Sequence, residues 1–374
     1  MKPQTVMVVA GDPSGDAHAA ALIQTLAAAR RGWRFIGAGG PKMKEAGAAL
    51  SFDLTADAVI GLSDVFKILP RFYRHLRALT RLAAAEKPGL IILVDFSGFN
   101  RRLARALRAA LPYHPFIVQY VSPQVWASRP GRADKMARDI DLLLCLFPFE
   151  KEWYARRLPH LRVECVGHPL FDRDLIAPEE PPDKVPTILL LPGSRRGELK
   201  RHLPVMVGAA ELIAAGRSVK FKLIASSEGM ADLARAAARG SAAPIAIQVA
   251  QLEPALANAT VAIACTGTVT LECARYGVPS VALYKTSLLT YLVARQIVTV
   301  KYLAMPNLLA DEALFPEFIQ KEATASNIAQ AAISLVEDSP RRAKIKERLR
   351  QVISTLGGPG ATARAARAIL QLTD

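Results

Sequence analysis

Asp95 follows directly on the apolar run Leu90 to Val94 and opens the segment Asp95-Phe96-Ser97-Gly98-Phe99-Asn100. A parallel strand delivers the residue after its last position into the crevice at the carboxyl end of its sheet, where a carboxylate can take a proton from a hydroxyl. An aspartate there can equally cap the next helix. The first apolar run, Val6 to Ala10, ends in Gly11-Asp12-Pro13-Ser14-Gly15-Asp16, a tight turn without the Gly-x-Gly-x-x-Gly spacing of a dinucleotide site. Asp12 and Asp16 would repel a pyrophosphate, so Ser14 and Asp16 are candidates for the acceptor side of a sugar site, or for capping. Ser122 and Trp126, in Ser122-Pro123-Gln124-Val125-Trp126-Ala127-Ser128-Arg129, add a hydroxyl and an aromatic face of the kind sugars pack on, although a tryptophan serves as readily in a core or rim.

A second set of residues suits a diphosphate. Leu191-Pro192-Gly193-Ser194-Arg195-Arg196-Gly197-Glu198 joins a β-rich run to a helical one, combining a glycine turn, backbone amides at a helix start and a fixed cation. It lacks the Gly-Lys-Ser/Thr of a Walker loop. Thr266-Gly267-Thr268-Val269-Thr270-Leu271-Glu272 repeats the arrangement, with Glu272 one turn into the helix, where a carboxylate can accept ribose hydroxyls or merely favour the dipole. Asn307, in Met305-Pro306-Asn307-Leu308-Leu309-Ala310, is a candidate for a phosphate or base edge.

The elements that must position these residues alternate. Val6 to Ala10, Arg34 to Gly37, Leu90 to Val94, Phe116 to Val121, Leu142 to Leu146 and Val163 to Val166 read as strands separated by helical patterns. The acidic, proline-rich stretch 172–186 reads as a linker, after which Thr187 to Leu191, Lys220 to Ala225, Ile245 to Val249, Val261 to Ala264 and Ser280 to Leu283 repeat the alternation. Beyond Ser326 only helical patterns remain. The expected fold class is therefore α/β: two doubly wound parallel-sheet domains facing a central cleft, with C-terminal helices packing back on the first. The expected boundaries are 1–171, a linker 172–186, 187–338, and crossover helices 339–374.

With 374 residues, 51% of them hydrophobic and 22% charged, the chain is long enough for two cores and excludes a disordered composition. The longest apolar stretch, Ser287 to Met305, contains Arg295 and Lys301 and is a poor bilayer span. Met1 runs almost at once into a strand, so a secretory leader is not expected and a cytoplasmic location is. Cys145, Cys165, Cys265 and Cys273 lack zinc-site spacing, and no metal or cofactor is expected. The net charge of +15 calls for an anionic partner. Val65, Leu69, Phe72, Leu76 and Leu79 recur at helical spacing among Arg71, Arg74, Arg77 and Arg81, so Leu69, Phe72, Leu76, Arg71 and Arg74 are expected to face an anionic membrane surface. An ordinary surface helix with its stripe in the core would show the same pattern.

The ordered series AGDPSGD, GAGGPKM, VIGLSDV, VDFSGFN, YVSPQVWASR, PFEKEWY, VGHPL, LLPGSR, GTVTLE and MPNLLA resembles that of lipid-A-disaccharide synthase, over roughly residues 6 to 320. The resemblance implies a GT-B type inverting hexosyltransferase of lipopolysaccharide lipid A biosynthesis, peripheral on the inner face of the bacterial inner membrane. It implies transfer of 2,3-diacylglucosamine from UDP-2,3-diacylglucosamine to the 6-hydroxyl of 2,3-diacylglucosamine 1-phosphate, the lipid monosaccharide phosphate known as lipid X. Asp95 is then the essential carboxylate, and Gly193, Ser194, Arg195, Thr266, Gly267, Thr268, Glu272 and Asn307 form the UDP site. Departures lie on the acceptor side: Asp12 replaces a usual glutamate, Gly98 an aspartate and Ser128 a tryptophan. Two rivals remain, a UDP-N-acetylglucosamine-dependent transferase or epimerase and a catalytically silent lipid-binding paralogue. No nucleic-acid module is recognisable, and whether the chain is a monomer or a homodimer is left open.

Overall fold

A computed structural model describes residues 5–56, 65–178 and 185–373, with the side chains of residues 65–69 and of Leu289 outside the description. Most of the VIGLSDV motif, Pro181 and Pro182 of the expected linker, and the Leu69 side chain lie outside the described residues.

The chain divides into two units, Met1–Arg173 with Leu356–Asp374, and Asp174–Thr355. The first contains β1 (Thr5–Ala10), α1 (Pro13–Ala29), β2 (Arg34–Gly39), α2 (Pro41–Glu45), β3 (Ala49–Asp53), α3 (Val65–Glu86), β4 (Leu90–Val94), α4 (Ser97–Ala110), β5 (Phe116–Tyr120), α5 (Gly131–Met136), β6 (Leu142–Cys145), α6 (Pro148–Arg157) and β7 (Arg162–Cys165). The second contains β8 (Thr187–Leu191), α7 (Arg196–Ala214), β9 (Lys220–Ala225), α8 (Glu228–Ala238), β10 (Ile245–Val249), α9 (Leu252–Ala257), β11 (Val261–Cys265), α10 (Thr268–Arg275), β12 (Ser280–Tyr284), α11 (Leu288–Ile297), α12 (Met305–Ala310), β13 (Glu317–Ile319), α13 (Ala325–Glu337) and α14 (Ser339–Ser354). The last helix, α15 (Ala361–Thr373), belongs to the first unit.

Among the described residues the first sheet runs β3-β2-β1-β4-β5-β6-β7 and the second β10-β9-β8-β11-β12-β13, with every pairing parallel. A parallel strand covered on both faces must be apolar throughout. All five side chains of β4 are fully buried, each worth about 1.5–3 kcal/mol relative to exposure. The edge strands β3 and β13 depart from that pattern, with half-buried or exposed residues along their length.

Strand order reverses between β1 and β4 in one sheet and between β8 and β11 in the other. These are the switch points at which doubly wound sheets open a crevice beyond the carboxyl ends of their strands. Register at the first is Ala10 beside Val94 beside Tyr120, so Gly11, Asp95 and Val121 leave the sheet side by side.

One carboxylate caps the start of α15 and ties it to the first unit. Asp172 accepts hydrogen bonds from the amides of Gly360 (2.7 Å), Ala361 (2.7 Å) and Thr362 (2.8 Å) at the start of that helix. Burial works against its charge, but the bonds from Thr362, Ala361 and Gly360 hold the carboxyl below its ordinary range. No helix among the described residues is long and apolar enough to cross a membrane.

The apolar stripe of α3 turns inward. Leu79 and Ala83 are fully buried, while Phe72 and Leu76 pack against the first core, with the Phe72 ring edge-on to Phe99 at 4.9 Å between centroids. This corrects the expectation that Phe72 and Leu76 face a membrane: helical spacing cannot tell a core stripe from an interfacial one, and α4 lies under this one. The outer side carries Arg71, Arg74, Arg77, Arg81 and the exposed Tyr73.

Candidate active site

At the first switch point the backbone is strained. Asp95 (φ 45°) and Phe96 (φ 37°) are consecutive non-glycine residues in the left-handed region, and the β-branched Val121 (φ 67°) joins them one strand over. Each such residue costs of order 1–3 kcal/mol and persists only where its surroundings over-determine it. Here two buried amide side chains do so. Asn100 Nδ2 donates to the carbonyls of Val94 (3.1 Å) and Asp95 (2.9 Å), and Gln119 Nε2 to those of Asp95 (3.2 Å) and Val121 (3.2 Å). The Asp95 amide donates to Tyr120 O at 2.8 Å. The Phe96 ring lies over Gly11, where a Cβ would come within 2.0 Å of it, so the β1 turn accepts only glycine at that position. The outcome is a half-buried Asp95 whose backbone is held at the strand end.

The carboxylates around α1 serve the fold. Asp12 caps α1 through Gly15 N (2.7 Å). Asp16, expected on the acceptor side, is 2% exposed and accepts the amides of Gly40 (2.8 Å), Met43 (3.1 Å) and Lys42 (3.0 Å) at the start of α2. Its role is that of a buried cap for a helix distant in sequence, which no local pattern announces.

Ser14 is exposed, and its hydroxyl lies 3.5 Å from His18 Nε2. The His18 ring packs near Tyr120 (6.4 Å) and His168 (6.1 Å), and His168 Nδ1 accepts the Leu170 amide. Burial, then the Arg173 charge, pushes His18 down to about 4; burial, then His18 and Arg173, pushes His168 down to about 3. Both are neutral near pH 7. Sequence reasoning passed over His18, whose one signal is its place a helical turn beyond Ser14.

Ser122 is buried immediately behind Val121. Trp126 is half-buried, its ring edge against Phe149 and its indole N–H donating to Glu150 Oε1 at 3.0 Å. Glu150 also accepts the Leu146 and Phe147 amides (3.1 Å each); burial raises its pKa, against the Trp126 bond that favours the charge.

The second switch point is built from glycines. Gly193 (φ 110°) and Gly267 (φ 130°) make the turns after β8 and β11 with backbone angles that other residues avoid. A Cβ on Gly193 would lie 2.7 Å from Glu198 Oε2, whereas one on Gly267 would meet open space. Because the two strands are parallel neighbours, the amino ends of α7 and α10 leave the same edge of the sheet, with Ser194, Gly267 and Thr268 exposed and Thr266 half-buried. The Arg195 guanidinium stands at the α7 cap, 65% exposed, with Nη1 donating to Glu198 Oε1 at 2.9 Å. Helix-start amides, helix dipoles and a cation together make an anion receptor. Glu272 is half-buried in α10.

Asn307 is fully buried. Its Nδ2 donates to Phe315 O (2.7 Å) and Glu317 Oε1 (2.8 Å), and its Oδ1 accepts Phe315 N (2.8 Å). The amide expected to meet UDP is thus engaged in joining α12 to the segment before β13. His202, which sequence reasoning missed, pins the β8 turn to the end of β12. Its ring is fully buried between Pro192 O (2.8 Å, from Nδ1) and the Lys285 amide (3.1 Å, to Nε2), which fixes the neutral tautomer. Among the described residues no group of three or more His, Cys, Asp or Glu is placed to hold a metal ion.

Two doubly wound parallel sheets, each with its chemical motifs at the switch point, give a two-domain fold of the GT-B type. The fold is shared with a calicheamicin glycosyltransferase (TM-score 0.61, 18% identity, 99% of this chain and 98% of that one) and with an S. aureus MnaA–UDP co-structure (TM-score 0.65, 13% identity, 99% and 96%). The profile of the lipid-A-disaccharide synthetase family (LpxB) matches residues 6–371. Lipid-A-disaccharide synthases of Solibacter usitatus (35% identity, 99% of this chain and 97% of the relative) and Trichlorobacter lovleyi (35%, 100% and 98%) match along the whole length. The chain belongs to the lipid-A-disaccharide synthetase family, whose members are hexosyltransferases that make the lipid A disaccharide.

Proposed function

We propose that this chain transfers 2,3-diacylglucosamine from UDP to the 6-hydroxyl of 2,3-diacylglucosamine 1-phosphate, with inversion, releasing UDP and a β-linked disaccharide phosphate. The observation that carries the reading is that each unit has its own chemical motif at its switch point, a strained carboxylate corner in the first and an anion receptor in the second. Asp95 takes the proton of the acceptor hydroxyl as it attacks the anomeric carbon. Arg195 and the amides at the starts of α7 and α10, with Gly193, Ser194, Thr266, Gly267 and Thr268 lining the turns, receive the charge that grows on the departing diphosphate. Glu272 accepts the ribose hydroxyls. Asn307 acts indirectly, by holding α12. Ser14 and the open part of the Trp126 ring offer a hydroxyl and an apolar face to the acceptor sugar.

The basic outer side of α3 meets anionic headgroups at the inner membrane face. Its attraction is electrostatic and should weaken as salt is raised. The deciding assay supplies UDP-2,3-diacylglucosamine and 2,3-diacylglucosamine 1-phosphate in mixed micelles and follows UDP and disaccharide. Product from the acylated pair, and none from UDP-N-acetylglucosamine, is expected. Epimerisation of UDP-N-acetylglucosamine, or no transfer with the acylated pair, overturns the reading.

A further inference from the structure

A cluster of cations in the first unit has no part in the steps above. α4 leaves the Asp95 corner and carries Arg101, Arg102 and Arg105; the connection after β5 carries Arg129 and runs into α5 with Arg132 and Lys135. Arg101, Arg129, Arg132 and Lys135, with Pro130 and Gly131, line an open cleft of about 530 Å³. The three arginines are half-buried, and their side chains line one concavity.

Like charges gathered in this way repel one another. Burial, then the neighbouring Arg102, Arg105 and Arg129, lowers the Arg101 pKa against Asp139; burial, then Arg129, Arg101 and Arg102, lowers that of Arg132. Of the carboxylates nearby, Asp134 pairs with Arg157 at 2.8 Å, and Asp139 offsets the charge of Arg101 without outweighing burial and the neighbouring arginines. Among the described residues no carboxylate forms an ion pair with Arg101, Arg129, Arg132 or Lys135. By contrast Arg108, on the same helix, has Asp141 at 2.6 Å. Crowding several cations against so few counter-charges is unfavourable unless a ligand supplies more. Planar guanidinium forks bind phosphate oxygens bidentately, and a dianion offsets several of them at once.

Position narrows the choice of anion. Both segments follow adjacent strands, β4 and β5, at the same carboxyl edge as Asp95, and Arg101 lies one turn, about 6 Å of rise, into the helix that begins beside it. We propose that the Arg101–Arg129–Arg132–Lys135 cleft binds the phosphate monoester of the acceptor and so aligns its sugar hydroxyl with Asp95. The assignment of the anion to the acceptor rests on the function proposed above; the phosphate site itself does not.

Two variants of the full chain test it: Arg129→Gln/Arg132→Gln, and Lys135→Glu at an exposed position where folding tolerates the change. Each should raise KM for the acceptor by about 10-fold to 100-fold, the scale of lost charge-assisted bonds, with kcat and the donor KM little altered. Glucosamine 1-phosphate, titrated calorimetrically, should bind the wild type and not the variants. Sedimentation with phosphatidylglycerol vesicles should be unchanged, because the α3 face provides that contact. An unchanged acceptor KM in both variants overturns the proposal. So does loss of vesicle binding alone, which would make the cleft a bilayer contact. Should the wild type transfer nothing to the acylated acceptor, the proposed function fails, and the glucosamine 1-phosphate titration still decides the cleft: equal binding by wild type and variants, or none by either, overturns it.

Discussion

The two switch points occupy equivalent places in two similar sheets and are built in opposite ways. After β8 and β11 the left-handed angles fall on Gly193 and Gly267, which adopt them without strain; after β4 and β5 they fall on Asp95, Phe96 and Val121, which do not. The difference follows from what each point presents. A diphosphate receptor presents backbone amides, so a side chain at the turn would be in the way. A proton acceptor is a side chain, so glycine cannot be used, and the strain is offset by Asn100, Gln119 and the Phe96 ring on Gly11.

The sharpest break in the comparison comes from Asp95. Asp95→Asn should lower single-turnover rate by roughly two to four powers of ten while UDP affinity by calorimetry holds. Asp95→Gly should abolish turnover to the same degree yet leave the first unit as stable or more stable, because a residue at φ 45° is relieved. A clear loss of stability in Asp95→Gly would show that the corner is not strained. Next in size, Arg195→Ala should weaken UDP by about 10-fold to 100-fold, as expected for a charge-assisted contact, with the fold unaltered because the side chain is mostly exposed. Unchanged UDP affinity would remove Arg195 from the site.

Gly267→Ala is the counterpart of Asp95→Gly. There is room for the methyl, but φ 130° is closed to alanine, so chemical denaturation should show a loss of more than about 1 kcal/mol in the second unit. A neutral outcome would mean that the turn relaxes freely. The smallest effect is in pH. His18 and His168 titrate in the native first unit at about 4 and about 3, below the ordinary value of about 6.5, so the unfolded chain takes up protons that the native one refuses. Their contribution is intact above pH of about 6.5 and is lost progressively as pH falls toward those native values. Urea midpoints for the first unit should drop over that window, and less so in His18→Gln.

How much of this is legible in sequence depends on where the partners lie. Buried strands such as Leu90 to Val94 announce themselves because both faces must be apolar, and the residues after them are the switch-point residues once the strand order is known. β3 and β13 escape notice as short edge strands with half-exposed side chains. Asp16 and Asn307 are visible as polar residues in turns, but their partners stand 24 and 8 residues away respectively, so a buried cap and a loop brace look like ligand contacts until the chain is folded. The same holds for His202, whose Lys285 partner is 83 residues distant.

The attachment of α15 to Asp172 bears on how the protein is made. The second unit is one continuous stretch, whereas the first takes its closing helix from beyond the whole of the second. On a translating ribosome the first sheet must therefore wait, with the surface that α15 will cover still open, while the 182 residues of Asp174–Thr355 are synthesised. At about 5–20 residues per second that interval lasts on the order of ten seconds or more. The later-encoded unit can complete its core first, and a nascent chain halted before Ala361 would present the uncovered face to chaperones.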